Sequence, residues 1–491
     1  MMGTKRRASR DMARMDGKHF SLDSVLTVLS FLILVVVVVI PMVMIVYNTF
    51  FYEGKFDTSL FTQIILDPGN VAAMWNTIKI ALLVTLFGTI IGLFFAWLLG
   101  RSDIPLKGLM RSMFTIPYMF PPFFGAMAWE LLLSPRSGYL NKWLMATFGL
   151  SKAPFNINSI GGIIFVECSY YFPFVFMQVV SALERMDPTL EESARIAGAK
   201  QWYVIRRITM PLVLPATSAG ALLILTSSLS HFGVPSILGF SKKIYTLPTR
   251  IYQLISRASG SFQGIRDGAA LSILLVIVVM LALWLQKIVL RSGSYDIIKG
   301  KSMRPMLIKL RGAKIPLLVI SLLSLVVIVV VPLVMIILVG LLRAYGLPLK
   351  LENFTFDNYI NLFKSKMVKD SVVNSLTLSV SAGLIAMFLG VMIAYVIQKI
   401  RPKGKTVLEI ISILPYSIPG IVLAIGVILS WSGAFGINLY NTLWIILIAY
   451  IARYLAFSMK SASASLQQVH YSLEDAARTC GATHFESLTD V

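Results

Sequence analysis

Charged residues are scarce in this sequence of 491 residues, and most of those present are basic. Asp, Glu, Lys and Arg make up 14% of the chain, whereas soluble domains carry about a quarter. Hydrophobic residues reach 57%, which excludes an ordinary cytosolic enzyme. The formal charge of +21 does not indicate a nucleic-acid partner, because the inner loops of membrane proteins collect Lys and Arg.

Cysteine and histidine are also rare. The two cysteines, Cys168 and Cys480, lie far apart, so they predict neither a disulfide framework nor a local zinc site. The four histidines are scattered, and no paired carboxylates have a spacing typical of acid–base or metal chemistry. A phosphate-binding loop is missing too, since Gly300-Lys301-Ser302 and Gly404-Lys405-Thr406 lack the first glycine of that motif. We therefore predict no catalytic residue, no metal site and no cofactor bound by this chain.

Apolar stretches long enough to cross a bilayer as helices recur along the whole chain. The ten candidate spans cover residues 23–47, 77–100, 111–133, 160–182, 213–238, 268–289, 315–342, 371–397, 406–430 and 440–458. They predict an all-α polytopic membrane protein. Because basic residues accumulate on the cytoplasmic side, we expect the basic N-terminus (1–22) and a basic linker (290–314) to be cytoplasmic.

The two halves of the sequence repeat one another. Asn76, a span and then Pro117-Tyr118-Met119-Phe120-Pro121 match Asn374, a span and Pro415-Tyr416-Ser417-Ile418-Pro419, at an offset of 298. Since six spans separate equivalent positions, we expect two parallel six-span repeats. The first repeat unit would cover 23–289, and the second would cover 315–491 and be truncated after four spans.

Two acidic segments also match one another, at an offset of 283. The first is predicted to be a short helix capped by Asp187, with Pro188 in its first position and Gly198 at its end. The second segment ends in the same way at Gly481. Two matched short helices on the cytoplasmic side would suit the docking of a two-fold soluble partner. The alternative is a pair of loops that only join spans.

The acidic segments resemble a cytoplasmic loop of the permease subunits of binding-protein-dependent ABC importers. In that family the loop reads Glu-Ala-Ala, three residues, Gly, nine residues, then Ile-x-Leu-Pro. The first copy here reads Glu192-Ser193-Ala194, Gly198 and Ile208-Thr209-Met210-Pro211, and the second reads Asp475-Ala476-Ala477, Gly481 and Val491. Ser193, Met210 and Val491 depart from the pattern. Because the family has two more spans after the second loop, we expect this sequence to be truncated.

The resemblance implies that each loop forms a coupling helix in a groove of a separate ATPase subunit. The loops would cover about 183–214 and the chain from about 460 onward, and the coupling residues would be Glu191, Glu192, Ala194, Gly198, Glu474, Asp475, Ala477 and Gly481. The implied partners are two ATPase subunits, which would hold ATP and Mg²⁺, and an extracytoplasmic substrate-binding protein. The chain itself would be a transport pathway and not an enzyme, in the cytoplasmic (inner) membrane of a prokaryote.

The fused layout and two short sequence motifs suggest the cargo. Two fused units with Pro-Tyr-x-x-Pro in each half look most like the ferric-iron permeases, and His231-Phe232-Gly233-Val234-Pro235 is similar to a stretch of that branch. Thiamine, phosphonate and polyamine stay open as alternative cargoes. The alternative function is a secondary transporter with two parallel halves driven by an ion gradient, in which the matched acidic loops would have no role.

Candidate pathway residues lie inside the predicted spans. A carboxylate near the centre of a spanning helix costs about 2.5–3.5 kcal/mol to insert. Glu167 is therefore expected to face a pathway for a cationic cargo, or to be protonated or hydrogen-bonded to Ser or Tyr. Prolines kink helices and free carbonyl groups, which suits a gate. The candidate gate residues are Pro117, Tyr118, Pro121, Pro415, Tyr416 and Pro419.

Overall fold

The computed structural model describes residues 22–257, 262–291 and 307–468, together with Thr479. Helices dominate this part of the chain. The first half contains α1 (Asp23–Phe50), α2 (Ser59–Leu66), α3 (Pro68–Arg101), α4 (Lys107–Met119), α5 (Pro122–Leu133), α6 (Tyr139–Phe148), α7 (Ile160–Arg185), α8 (Thr189–Ile196), α9 (Gln201–Leu229), α10 (Gly233–Gly239), α11 (Leu247–Arg257) and α12 (Phe262–Arg291). The second half contains α13 (Arg311–Gly340), α14 (Asp357–Lys364), α15 (Lys366–Ile400), α16 (Lys405–Ser417), α17 (Gly420–Trp431) and α18 (Leu443–Leu466). Strands β1 (Phe51–Tyr52) and β2 (Lys55–Phe56) form a two-stranded sheet after α1.

Eight of the described helices are long and apolar enough to cross a membrane, by length and composition. They are α1, α3, α7, α9, α12, α13, α15 and α18, and they correspond to eight of the ten predicted spans. The prediction of an all-α polytopic membrane protein is thereby confirmed.

The other two predicted spans are broken. Residues 111–133 form α4 and α5, and residues 406–430 form α16 and α17, which are bent relative to each other by 111°. Pro121 and Pro419 have no backbone N–H, so the carbonyl groups four residues earlier lose their helical partner. The prolines were predicted to kink these helices, and the structure shows that the kink divides each predicted span into two helices.

The predicted span 213–238 also needs correction. Its helix α9 begins much earlier, at Gln201, and ends at Leu229. The N–H of His231 then donates to the carbonyl oxygen of Ser228 at 3.2 Å, which closes a tight turn before α10 starts. The apolar residues beyond this turn therefore belong to a separate short helix.

Four of the spanning helices contain a π-helical turn, and each turn ends two residues before a proline. The turns are Val35–Val39, Ile205–Thr209, Val326–Val330 and Val396–Ile400, and the prolines are Pro41, Pro211, Pro332 and Pro402. A proline ring collides with the carbonyl of the residue four positions earlier in an α-helix. In α1, α9 and α13 the wider π turn relieves this collision without ending the span, whereas α15 ends at Ile400, before Pro402.

The described helices form two packing units that cross the sequence repeat. One unit contains residues up to 51 and from 370 onward, and the other contains residues 52–369. In the first unit, Leu34 and Val38 of α1 are buried in the same core as Ile393 of α15 and Leu455 of α18. The first span of the chain therefore packs on helices of the second repeat.

The second unit receives a span in the same way. Val329 of α13 is buried in a core with Phe114 of α4 and Phe172 of α7. The carboxylate of Asp103, just after α3, accepts the N–H of Leu310 at 2.9 Å and the ammonium group of Lys314 at 3.1 Å. The predicted units 23–289 and 315–491 are therefore units of sequence repetition. In the packing, the first span of each repeat lies among helices of the other repeat.

Two glycines show the repeat in the packing itself. A Cβ on Gly92 of α3 would lie 2.8 Å from the Cβ of Val175 on α7, and one on Gly390 of α15 would lie 2.6 Å from the Cβ of Ser458 on α18. Gly92 and Gly390 differ by the offset of 298, and Val175 and Ser458 by the offset of 283. The second and fourth spans of each repeat therefore cross at the same point, where only glycine allows the backbones to come so close.

Candidate functional site

Helix α8 contains the first copy of the acidic segment and begins with a side-chain cap. The Oδ1 atom of Asp187 accepts hydrogen bonds from the N–H (2.9 Å) and the hydroxyl (2.7 Å) of Thr189. The backbone N–H of Thr189 is the main cause that holds the pKa of Asp187 below its usual value. Pro188 immediately precedes the helix, so α8 starts one residue later than the sequence indicates.

A left-handed glycine ends α8. Gly198 has a φ of +86°, and its N–H donates to the carbonyl of Arg195 while the N–H of Ala199 donates to that of Ala194, both at 2.9 Å. This pair of bonds is the Schellman motif, which satisfies the last carbonyl groups of a helix. A side chain at position 198 would meet open space, so backbone conformation, and not packing, requires the glycine there.

The two adjacent glutamates of α8 lie in different environments. Glu191 is buried, and its Oε1 atom accepts a hydrogen bond from the hydroxyl of Thr209 at 2.6 Å. Its Oε2 atom lies 3.4 Å from Nε of Arg101, the last residue of α3. Glu192 is half-buried, as is Ala194. One acidic side chain therefore points into the protein, and the next remains accessible.

Exposed apolar side chains surround the accessible side of α8. Ile196, in the last turn of the helix, is 88% exposed, and Trp202 at the start of α9 is 70% exposed. Tyr203 and Leu190 are exposed as well. This group, which we call the α8 patch, consists of Leu190, Ile196, Trp202 and Tyr203. Large apolar side chains exposed together are typical of a surface that binds another protein or a membrane.

The second acidic segment falls outside the described residues. Its predicted coupling residues Glu474, Asp475, Ala477 and Gly481 all lie between residues 469 and 491, where the structure describes Thr479 alone. Their predicted role therefore rests on the sequence match.

The predicted gate residues lie at the two helix breaks. In the first half Pro117 and Tyr118 belong to the end of α4, and Pro121 lies in the break. Pro415 and Tyr416 hold the same places at the end of α16, and Pro419 directly precedes α17. The Pro-Tyr-x-x-Pro motif is therefore a helix break in both repeats.

The tyrosine of each motif makes the same aromatic contact. Tyr118 packs edge-to-face on Phe174 of α7, with ring centroids 5.3 Å apart, and Tyr416 packs edge-to-face on Phe457 of α18 at 4.9 Å. Phe174 and Phe457 differ by the offset of 283. Sequence reasoning did not identify these partners, although the offset found in the acidic segments leads directly to them.

The second break also has a cationic partner that sequence reasoning missed. Nη1 of Arg453 on α18 donates to the carbonyl oxygens of Pro415 at 2.7 Å and Ile418 at 2.6 Å. The matching position in the first repeat, 283 residues earlier, is Tyr170. An arginine inside an apolar span is the signal that could have found this contact, since buried charges in membranes need partners.

Glu167 lies in the middle of the protein and not at its surface. Its carboxylate is fully buried, accepts a hydrogen bond from the hydroxyl of Ser228, and lies 3.1 Å from Nδ1 of His231. The imidazole of His231 also contacts the ring of Tyr171. These contacts match the hydrogen-bonded alternative for Glu167 more closely than a pathway surface. Among the described residues, no group of three or more His, Cys, Asp or Glu side chains is placed to hold a metal ion.

Comparison with known proteins identifies the family. The sequence pattern of the binding-protein-dependent transport system inner membrane component matches residues 88–292 and 386–491. A ferric transport system permease protein of Haemophilus influenzae is 26% identical over 96% of this chain and 73% of its own length. One from Actinobacillus pleuropneumoniae is 27% identical over 94% of this chain, which spans 66% of that protein.

A shorter relative matches about one repeat. The molybdenum transport system permease protein of Escherichia coli K12 is 32% identical over 46% of this chain and 97% of its own length. The family pattern occurs twice in the chain, once in each repeat, as expected of two fused units. The duplicated match, the spanning helices and the repeated glycine crossing agree with one another. The chain therefore belongs to the family of binding-protein-dependent transport system inner membrane components, the permeases of ABC importers, and has the fused two-unit layout of the ferric permeases.

Proposed function

We propose that this chain forms the transmembrane pathway of an ATP-driven importer and that α8 transmits ATP-dependent movement to its spans. The observation that supports the proposal is the structure of α8. It is a short helix capped at both ends, with Glu191 turned inward and the α8 patch turned outward. A short helix anchored by a buried side chain, with exposed apolar side chains on it and beside it, suits a groove in a second protein.

The partner on this side is a pair of ATPase subunits. They supply ATP and Mg²⁺, because no phosphate-binding loop occurs in the chain. The segment at 473–481 repeats the α8 sequence and provides the second docking helix. Closure of the two ATPase subunits on ATP would move both helices together and switch the spans between outward-open and inward-open states. The helix breaks at Pro121 and Pro419 supply the bending points for that switch.

The distribution of charge supports an orientation. The basic segments 1–22 and 290–314 favour a cytoplasmic N-terminus and a cytoplasmic α8 in the inner membrane of a bacterium. The opposite side receives a cargo-loaded binding protein. The family description, which names dependence on a binding protein, supports this partner.

Ferric iron is the proposed cargo. Two relatives that cover nearly the whole chain are described as ferric transport permeases, whereas the molybdenum permease covers about one repeat. The chain would not need a metal cage of its own, since the binding protein selects the cargo. Thiamine, phosphonate and polyamine are the cargoes to compare with iron.

Co-purification with the candidate ATPase tests the docking role. Wild-type chain is expected to retain the ATPase in detergent, and Glu192→Lys is expected to lose it, because a cation replaces the accessible carboxylate on α8. Glu53→Lys is the matched control, since it makes the same charge change at an exposed position after α1. Equal retention by all three chains would contradict the proposal. A chain that binds no ATPase and transports on an ion gradient would support the secondary transporter.

A further inference from the structure

We propose that Arg101 and Glu191 form a buried link that makes α8 move together with α3, so that both are positioning residues for coupling. The proposal rests on the function proposed for α8 and adds how its movement reaches the spans. Arg101 has a side chain 1% exposed and Glu191 one that is 5% exposed. A guanidinium and a carboxylate excluded from water to this extent require each other, because neither charge has solvent to stabilise it.

The surroundings of Arg101 leave Glu191 as its counter-charge. None of the three guanidinium nitrogens has a hydrogen-bond partner of ordinary geometry among the described residues, and Nε lies 3.4 Å from Oε2 of Glu191. Arg195, on the same helix α8, is close enough to repel Arg101 electrostatically. Removal of the Glu191 charge would therefore leave the buried guanidinium of Arg101 without a counter-charge and still repelled by Arg195.

The second carboxylate oxygen extends the link. Oε1 of Glu191 accepts the hydroxyl of Thr209 in the π turn of α9. One side chain of α8 thus contacts the end of α3 and the beginning of α9. Both of these helices pack on α7 in the core of the same unit, through close crossings at Gly92 and Gly220. Force applied to α8 through Glu191 would reach that three-helix core directly.

The chain on the C-terminal side of α8 is poorly suited to carry such force. The C-terminal connection passes through Gly198, whose left-handed backbone has open space around it. A turn of this kind can change its dihedral angles and absorb a displacement. The buried ion pair bypasses this connection, whereas the neighbouring Glu192 is only half-buried.

The sequence repeat contains the same charges. Lys399 stands 298 residues after Arg101, and Glu474 stands 283 residues after Glu191. These are the two offsets that relate the second spans and the acidic segments of the two repeats. A basic residue and an acidic residue at both positions are expected if each repeat links its coupling helix to its second span.

The test uses the native chain with its ATPase and binding protein in lipid vesicles. Glu191→Gln is expected to keep the ATPase bound and ATP hydrolysis within about twofold of wild type, and to lower cargo moved per ATP at least tenfold. Glu53→Gln is the matched control, since it neutralises an exposed carboxylate after α1 and outside α8, and it is expected to keep that ratio. The double variant Arg101→Glu with Glu191→Arg is expected to recover at least a third of the decrease in cargo moved per ATP that Glu191→Gln causes. A wild-type ratio for Glu191→Gln, or no recovery in the double variant, overturns the proposal.

Hydrogen exchange separates the link from the proposed function and from misfolding. In Glu191→Gln, amides of residues 189–199 are expected to exchange at least tenfold faster, with those of α3 and α7 unchanged. Unchanged exchange over 189–199 overturns the link even when the ATPase binds normally. The wild-type chain could bind no ATPase while Glu191→Gln still exchanges faster than wild type over residues 189–199. In that case the link holds and the proposed function fails.

Discussion

Nη1 of Arg453 lies 2.7 Å from the carbonyl oxygen of Pro415, a carbonyl that has no helical partner because residue 419 is proline. The same nitrogen donates to Ile418, so one guanidinium satisfies two carbonyl groups at the break between α16 and α17. The broken helix of the second repeat is therefore stabilised by a side chain from the following span.

We expect Arg453→Met to destabilise the chain by about 1–3 kcal/mol, the usual cost of leaving buried polar groups unpaired. Thermal unfolding in detergent measures this change. Lys460→Met is the control on the same helix, because it removes a cation–π contact with Tyr416 at 5.5 Å, worth about 0.5–1 kcal/mol at an exposed site. Equal effects of the two substitutions would show that the carbonyl contacts add nothing.

The glycine crossings predict opposite effects for two substitutions on one helix. Gly390→Ala places a Cβ 2.6 Å from the Cβ of Ser458, and we expect a loss of about 1–3 kcal/mol from overpacking. Gly383→Ala, also in α15, meets nothing within 4 Å, and we expect a gain of about 0.5–1 kcal/mol from helix propensity. Unfolding temperatures measured side by side test the pair, and a stabilising Gly390→Ala would refute the crossing.

The cap of α8 predicts how docking depends on pH. The pKa of Asp187 is lowered from 3.8, first by the backbone N–H of Thr189. A lowered native pKa means that the cap stabilises α8 fully above the unfolded value and is lost only as the pH falls through the native value. We therefore expect ATPase binding to be constant from pH 5.5 to 8.

Two substitutions of Asp187 test the same cap. Asp187→Asn retains an acceptor oxygen and is expected to bind the ATPase as wild type, while Asp187→Ala is expected to bind it several-fold more weakly, since Asn caps helices well and Ala poorly. Binding titrations on immobilised ATPase would measure this. A strong effect of Asp187→Asn, or equal binding by Asp187→Ala, would argue that α8 does not need its cap.

The contacts of Glu167 predict a structural role in the first repeat. Glu167→Gln keeps an acceptor for Ser228 and is expected to retain at least half of wild-type uptake. Glu167→Leu leaves the hydroxyl of Ser228 and the imidazole of His231 without this partner, and we expect a loss of about 1–3 kcal/mol. Uptake and unfolding temperature are measured on both variants. Abolished uptake in Glu167→Gln at an unchanged unfolding temperature would instead place Glu167 on the cargo pathway.

The sequence predicts what depends on local composition. Runs of apolar residues predict the spans because a bilayer requires about 20 of them in a helix. The end of α8 follows from Gly198 in the same way, because a positive φ favours glycine. The prolines of Pro-Tyr-x-x-Pro predict a kink in each half, but the sequence does not show that each kink divides its span into two helices, since apolar side chains continue through both.

Packing partners were beyond reach of the sequence. Leu34 of α1 and Val329 of α13 have nothing in their own segments that specifies burial among helices of the other repeat. The buried pair of Arg101 and Glu191 joins residues on separate helices, and only the fold brings them together. Arg453 was within reach, because the reasoning that singled out Glu167 as an intramembrane charge applies equally to it.

Uptake by reconstituted vesicles tests the central claim most directly. The native chain, its ATPase and its binding protein would be reconstituted, and radioactive ferric iron delivered by the binding protein would be followed into the lumen. We predict uptake that requires ATP on the α8 side and binding protein on the other, and that survives ionophores that collapse ion gradients. Uptake that proceeds without ATP and stops when the ionophores are added would contradict the account and identify a secondary transporter.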